Sequence, residues 1–122
     1  PMEIVFKRNT QGDYRVYSFG VKQDFTNYVS YACPADIPTE IERELTVTAK
    51  KVYDILGCRD FARVDFRLGE DGKVYFIEIN PLPGLAPGYS DYPMLAAACG
   101  VPYDMLVQSV LLAGAERCGV AL

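Results

Sequence analysis

Histidine and tryptophan are both absent from the 122 residues, and the missing histidine carries the larger consequence. Without it there is no Ser-His-Asp or Cys-His nucleophile and no imidazole acid–base step. Any chemistry must therefore use carboxylates, arginine, lysine, backbone amides or a bound metal. The four cysteines, Cys33, Cys58, Cys99 and Cys118, show no C-x-x-C spacing. With no histidine to complete a ligand set, no zinc site is expected, and the cysteines read as free thiols in a reducing cytoplasm. There is no basic run either. The 12 lysines and arginines are outnumbered by 16 acidic residues for a net charge of −4, so neither nucleic acid nor an anionic membrane is an expected partner. No apolar stretch approaches a membrane span, and no signal-peptide pattern opens the chain.

What is present suits a packed core. Half of the residues are hydrophobic, with no low-complexity run, so residues 1–122 are expected to form a single folded domain. Strand-like sequence begins at once after Pro1, which reads as a start inside a fold and hence as a fragment of a longer protein. Met2–Lys7 and Tyr14–Phe19 are expected to form a hairpin across the five-residue loop Asn9–Asp13, and Val21–Ala35 reads as irregular. Thr39-Glu40-Ile41-Glu42 has the form of a capping box. The helix it opens would carry Ile41, Leu45, Thr48, Val52, Ile55 and Leu56 on one stripe and stop at Gly57. Ser90 or Asp91 can cap a short helix that ends at Gly100. Pro102 suits the start of a last helix with Tyr103, Leu106, Val107, Val110 and Leu111 inward. Hairpin links in place of helical crossovers predict an α+β fold, an antiparallel sheet of hairpins packed with about three helices.

The richest segment is Arg63-Val64-Asp65-Phe66, a Gly-Glu-Asp-Gly turn, and Tyr75-Phe76-Ile77-Glu78-Ile79-Asn80. Alternate strand residues share a face, so Arg63 and Asp65 lie on one side of the first strand and Phe76, Glu78 and Asn80 on one side of the second. A two- or four-residue loop puts Asp65 on the face of Glu78, and the two-residue case pairs them directly. Like charges so placed repel unless a cation lies between them, and a hard divalent metal completed by Asn80 is the simplest candidate. A three-residue loop would instead separate the carboxylates. An amphipathic hairpin with a solvated face is the plain alternative.

The string Arg63-x-Asp65, then Glu78-x-Asn80-x-x-Pro83-Gly84, then Ser90 and a proline-bearing helix resembles the C-terminal part of an ATP-grasp ligase. The closest match is the D-alanine–D-alanine ligase group. Lys22, Tyr31-x-Cys33-Pro34-Ala35 and the long helix ending in Gly57 fit the same group. The resemblance implies that Asp65, Glu78 and Asn80 bind two magnesium (or manganese) ions bridging the phosphates of ATP. It implies that Arg63 and the Gly84 N–H stabilise the oxyanion formed when an amine attacks an acyl phosphate. Ser90, helped by the N–H groups of the following helix, would hold the carboxylate of the second amino acid, and Lys22 would contact the transferred phosphate. Each residue also has a plain reading: Arg63 as a surface ion pair, Gly84 as a turn glycine, Ser90 as an N-cap and Lys22 as a loop lysine.

The chain departs from that group in three places. Gln23 follows Lys22 where a tyrosine is usual, Pro81 stands for a threonine, and the stretch from Gly84 to Ser90 is one residue longer. These bear on the second substrate more than on the ATP chemistry. The group's N-terminal and ATP-binding subdomains have no counterpart here, so the resemblance implies half of a site whose partners are ATP, amino acids and the missing subdomains. A surface built to face another domain could also promote a homodimer. Two other readings stand beside the ligase: a non-catalytic binding module that needs a partner chain, and a magnesium- or calcium-binding fold without nucleotide.

Overall fold

A computed structural model describes residues 1–6 and 29–121. They form two antiparallel two-stranded sheets and three helices, an α+β fold, in two compact units at residues 1–36 and 37–122. Tyr14–Phe19, its preceding loop and Lys22 lie outside the described residues.

In the first unit, β1 (Glu3–Phe6) pairs with β2 (Val29–Ala32), Glu3 opposite Ala32 and Phe6 opposite Val29. β2 corrects the expectation of irregular chain through 21–35. Its four residues are too short a run for alternation to show. Val29 is the buried member, and the Ala35 N–H donates to the Pro1 carbonyl at 3.0 Å, closing the end of the ladder.

The second unit opens with α1 (Thr39–Ile55). Its start differs from expectation, because Pro38 occupies the N-cap position, Thr39 is already helical, and no side chain caps the end. The capping box therefore does not form, and Glu40 and Glu42 in the first turn face the positive end of the helix dipole instead. Ile41, Leu45, Thr48 and Val52 are half-buried as the stripe predicts, whereas Ile55 and Leu56 are exposed. Gly57 ends the helix in the left-handed region (φ 64°), where glycine carries no Cβ penalty.

β3 (Arg63–Leu68) and β4 (Val74–Asn80) form the second sheet, and α1 packs on β4. α2 (Asp91–Ala98) then packs on α3 (Tyr103–Cys118). Pro93, Ala96 and Leu106 are buried there. Tyr103, Val107 and Leu111, expected inward, are exposed; Val110 is half-buried as expected, and Ala113 and Gly114 are half-buried with it. Among the described residues no single helix is long and apolar enough to cross a membrane, and α2 with α3 reaches that length only as a pair bent by 113°.

One ion pair ties α3 to the loop before β3. Arg117 donates from Nε and Nη2 to the two Asp60 carboxylate oxygens, each at 2.8 Å, across 57 residues. These hydrogen bonds hold the Asp60 carboxyl below the usual carboxylate range against the pull of burial, with the charges of Arg117 and Arg59 adding. A carboxyl lowered in the folded state stabilises fully above its unfolded pKa of about 3.9, and that contribution is lost as pH falls through the folded value. Asp60 has φ 61°, a conformation that asparagine tolerates. Asp60→Asn is therefore expected to lower the melting temperature by a constant amount near neutrality. In melting curves recorded from pH 7 to pH 2, the gap from the parent chain should close below about pH 4.

Candidate active site

The hairpin reaches the expected pairing by an unexpected route. The Gly69 N–H donates to the Lys73 carbonyl at 2.9 Å, and the Gly72 N–H to the Gly69 carbonyl at 3.0 Å. The loop is thus Glu70-Asp71-Gly72, with Gly72 at φ 75°. A three-residue loop alone would put Asp65 and Glu78 on opposite faces. The register shifts between Asp65 and Phe66, however, where Phe66 pairs with Phe76 and Asp65 pairs with Glu78. Ile77 is the extra residue of a β-bulge, and it restores the direct Asp65–Glu78 pair. Phe76 consequently leaves the Glu78 face expected for it and meets Phe66 edge to face at 6.2 Å.

Between the paired carboxylates lies a cation, and it is Arg63. Its Nε donates to Asp65 Oδ1 at 2.8 Å and its Nη2 to Asp65 Oδ2 at 2.9 Å. Nη2 is also 3.8 Å from Glu78 Oε1, while Nη1 donates to Asp91 Oδ2 at 3.0 Å. Burial pulls the guanidinium pKa down. The Asp65 hydrogen bonds and the charges of Asp65, Asp91 and Glu78 outweigh that pull, so the pKa lies above its ordinary value. Only 25% of the Arg63 side chain is exposed, so this is not the fully solvated ion pair of the plain reading.

Asn80 pairs with Arg63 and completes the same face, its Oδ1 accepting the Leu82 N–H at 3.1 Å as the chain turns. Further on, Gly84 lies against Ser90, where a Cβ on Gly84 would stand 2.6 Å from Ser90 Oγ. Ser90 sits at the N-cap position of α2 yet makes no capping hydrogen bond. Its hydroxyl instead accepts the Ala86 N–H at 3.2 Å and pins the loop, so the first N–H groups of α2 keep no side-chain cap.

Oxygen ligands on one face suit a hard divalent cation: Asp65 and Glu78 are directly opposed, with the Asn80 amide beside them. Among the described residues no three His, Cys, Asp or Glu side chains form a metal-holding group, and Asn80 is the neutral oxygen donor beside the two carboxylates. Glu78, 60% exposed, is the more open of the two carboxylates.

The family described as D-ala D-ala ligase C-terminus matches residues 1–112. The chain belongs to that family. Vancomycin B-type resistance protein VanB of Enterococcus faecalis is 40% identical over 110 residues, covering 90% of this chain and 32% of VanB. A D-alanine–D-alanine ligase of Cupriavidus metallidurans is 43% identical over 89 residues, 73% of this chain and 27% of the ligase. One from Lactobacillus acidophilus is 37% identical over 109 residues, 89% and 29% respectively. The chain thus spans about a third or less of the length of these relatives. In this ligase C-terminal part, the fold brings Arg63, Asp65, Glu78 and Asn80 to one face and Gly84 against Ser90. The sequence reading missed Asp91 as a partner of Arg63. Its position after Ser90 marks it as a first-turn acid, and nothing local signals a contact 28 residues away.

Proposed function

We propose that residues 1–122 are the C-terminal catalytic part of a cytoplasmic, ATP-dependent carboxylate–amine ligase. Its leading reaction is the joining of D-alanine to D-alanine through an acyl phosphate, for cell-wall peptidoglycan. The observation that carries this reading is the bulged hairpin, which sets Asp65 directly opposite Glu78 with Arg63 between them. Membership of the ligase family supports it. Asp65, Glu78 and Asn80 would hold two magnesium or manganese ions, which supply charge neutralisation on the phosphates of ATP.

The chain's own residues do the rest. Arg63 presents a permanent positive charge, and Gly84 a backbone N–H, toward an oxyanion as an amine attacks. Donors of this kind lower a barrier by on the order of 3 kcal/mol each. Ser90 and the positive N-terminal end of α2 would orient the carboxylate of the amine donor. Lys22 would meet the transferred phosphate. Adenine and the first amino acid would sit on the subdomains outside this chain, so the isolated chain should show no turnover. A non-catalytic module completed by a partner chain is the alternative, and the observation that favours it is that Arg63 hydrogen-bonds both Asp65 carboxylate oxygens.

A titration of the chain with Mn²⁺, followed by NMR, separates these readings. Selective broadening around Asp65, Glu78 and Asn80 is expected, stronger with ADP and lost in Asp65→Asn. Broadening that ADP does not change would favour a cation site without nucleotide. An unbroadened hairpin would overturn the ligase reading and leave Arg63 as the face's cation.

A further inference from the structure

We propose that Asp91 is the positioning residue for Arg63, holding the guanidinium from α2 while Asp65 grips it from β3. The inference rests on the ligase reading only for what Arg63 then does. Two of the three guanidinium nitrogens, Nε and Nη2, are engaged by Asp65 two residues along the same strand. That fork fixes the plane of the group but ties it to nothing beyond the strand. Nη1 reaches Asp91 Oδ2 at 3.0 Å, and this bond joins the strand to a different element.

Asp91 is well placed for that work. Its side chain is 17% exposed, against 34% for Asp65 and 60% for Glu78, so it is the best shielded of the three carboxylates around Arg63. A charge-assisted hydrogen bond is stronger and more directional where water is scarce. The position is also firm. Asp91 is the first residue of α2, where the helix dipole favours an anion. Pro93 is buried two residues later, and the ring of Tyr92 meets Phe61 edge to face at 5.5 Å. Ser90, which packs on Gly84, directly precedes Asp91. One turn of chain therefore sets both the Gly84–Ser90 contact and the guanidinium.

The arrangement matters most when Asp65 takes another cation. A divalent ion on Asp65 competes with Arg63 for the same two oxygens. Without a second anchor the displaced arginine would gain the freedom of a long side chain. With Asp91 holding Nη1, it stays beside Asp65 and Glu78.

Nitrogen-15 NMR of the Arg63 guanidinium in the whole chain tests this directly. Asp91→Asn is expected to speed exchange of the Arg63 Nη protons with water on the order of tenfold, while the α2 amide signals stay in place. Asp91→Glu, which keeps the charge, should restore most of the protection, as a purely structural role for the residue would not. Unchanged exchange in Asp91→Asn overturns the proposal. If that variant disturbs α2, Asp65→Asn gives the answer from the other side. Nη protection that survives loss of the Asp65 fork supports the Asp91 anchor, and complete loss overturns it. Failure of the ligase reading shows elsewhere, as an unbroadened hairpin in the Mn²⁺ titration with Arg63 still protected.

Discussion

Replacing Arg63 by alanine is expected to destabilise the chain by about 2–3 kcal/mol, somewhat below the roughly 3–5 kcal/mol typical of fully buried ion pairs. The reduction reflects the quarter of the side chain that remains exposed. The loss has two sources. Asp65 and Glu78 are direct cross-strand partners, and like charges so placed repel once the cation is gone. Asp91 would keep a charge in a shielded position without its guanidinium partner. Both terms arise from unneutralised carboxylates, so the deficit should shrink on addition of millimolar Mg²⁺. An ion that binds the folded state raises its stability in proportion to occupancy. Thermal melts with and without Mg²⁺ check this, and a variant whose deficit Mg²⁺ leaves untouched would count against a cation site on this face. Lysine at position 63 should recover little, because a point charge cannot reproduce a fork to Asp65 and a third bond to Asp91. On the oxyanion role proposed for Arg63, Arg63→Ala in the full-length protein is expected to lower kcat/KM of the proposed ligase reaction by about 10²–10³-fold.

Gly84→Ala should be the second severe change, through packing rather than backbone conformation. Gly84 is not among the glycines with positive φ, so alanine meets no conformational barrier there. The added Cβ would stand 2.6 Å from Ser90 Oγ and 3.4 Å from Ser90 Cβ. Rotating the hydroxyl away relieves the first contact but breaks its bond to the Ala86 N–H. The second is an ordinary van der Waals contact, so the cost lies in the hydroxyl. Stability should fall by only about 1 kcal/mol, the scale of one hydrogen bond and a mild overpacking. On the substrate role proposed for Ser90, turnover of the full-length protein in the proposed reaction should fall by on the order of 10²-fold, because the Ser90 hydroxyl is displaced. Removing the obstacle isolates the cause. Gly84→Ala combined with Ser90→Gly removes both the obstacle and the Ala86 hydrogen bond, so it should be no less stable than Ser90→Gly alone. A double variant clearly less stable than Ser90→Gly would contradict a clash with the Ser90 side chain.

Much of this arrangement is legible in the residues. Alternation places Arg63 with Asp65 and Glu78 with Asn80, because side chains in a strand point to opposite faces in turn. Gly57 and Gly100 mark helix ends since each occupies a left-handed position there. The motif string from Arg63 to Ser90 points to the ligase family with no reference to three dimensions.

Other features are not local. The loop at 70–72 has the length that should have separated Asp65 from Glu78, and the pair survives because Ile77 is left out of the ladder. A bulge has no reliable signature in one strand, as it is a compromise between two strands and what packs on them. Thr39 looks like a cap and is not one, and Ser90 takes the cap position yet spends its hydroxyl on Ala86.

The sequence by itself determined the family and named the candidate groups: the motif picks out Asp65 and Glu78, Arg63 and Gly84. Only the tertiary structure decided that Arg63 is the cation between Asp65 and Glu78, and that Asp91 shares it from 28 residues away. The physical reason is range. Alternation, capping and turn chemistry act over a few residues, whereas a charge is neutralised by whatever the folded chain brings within hydrogen-bond reach.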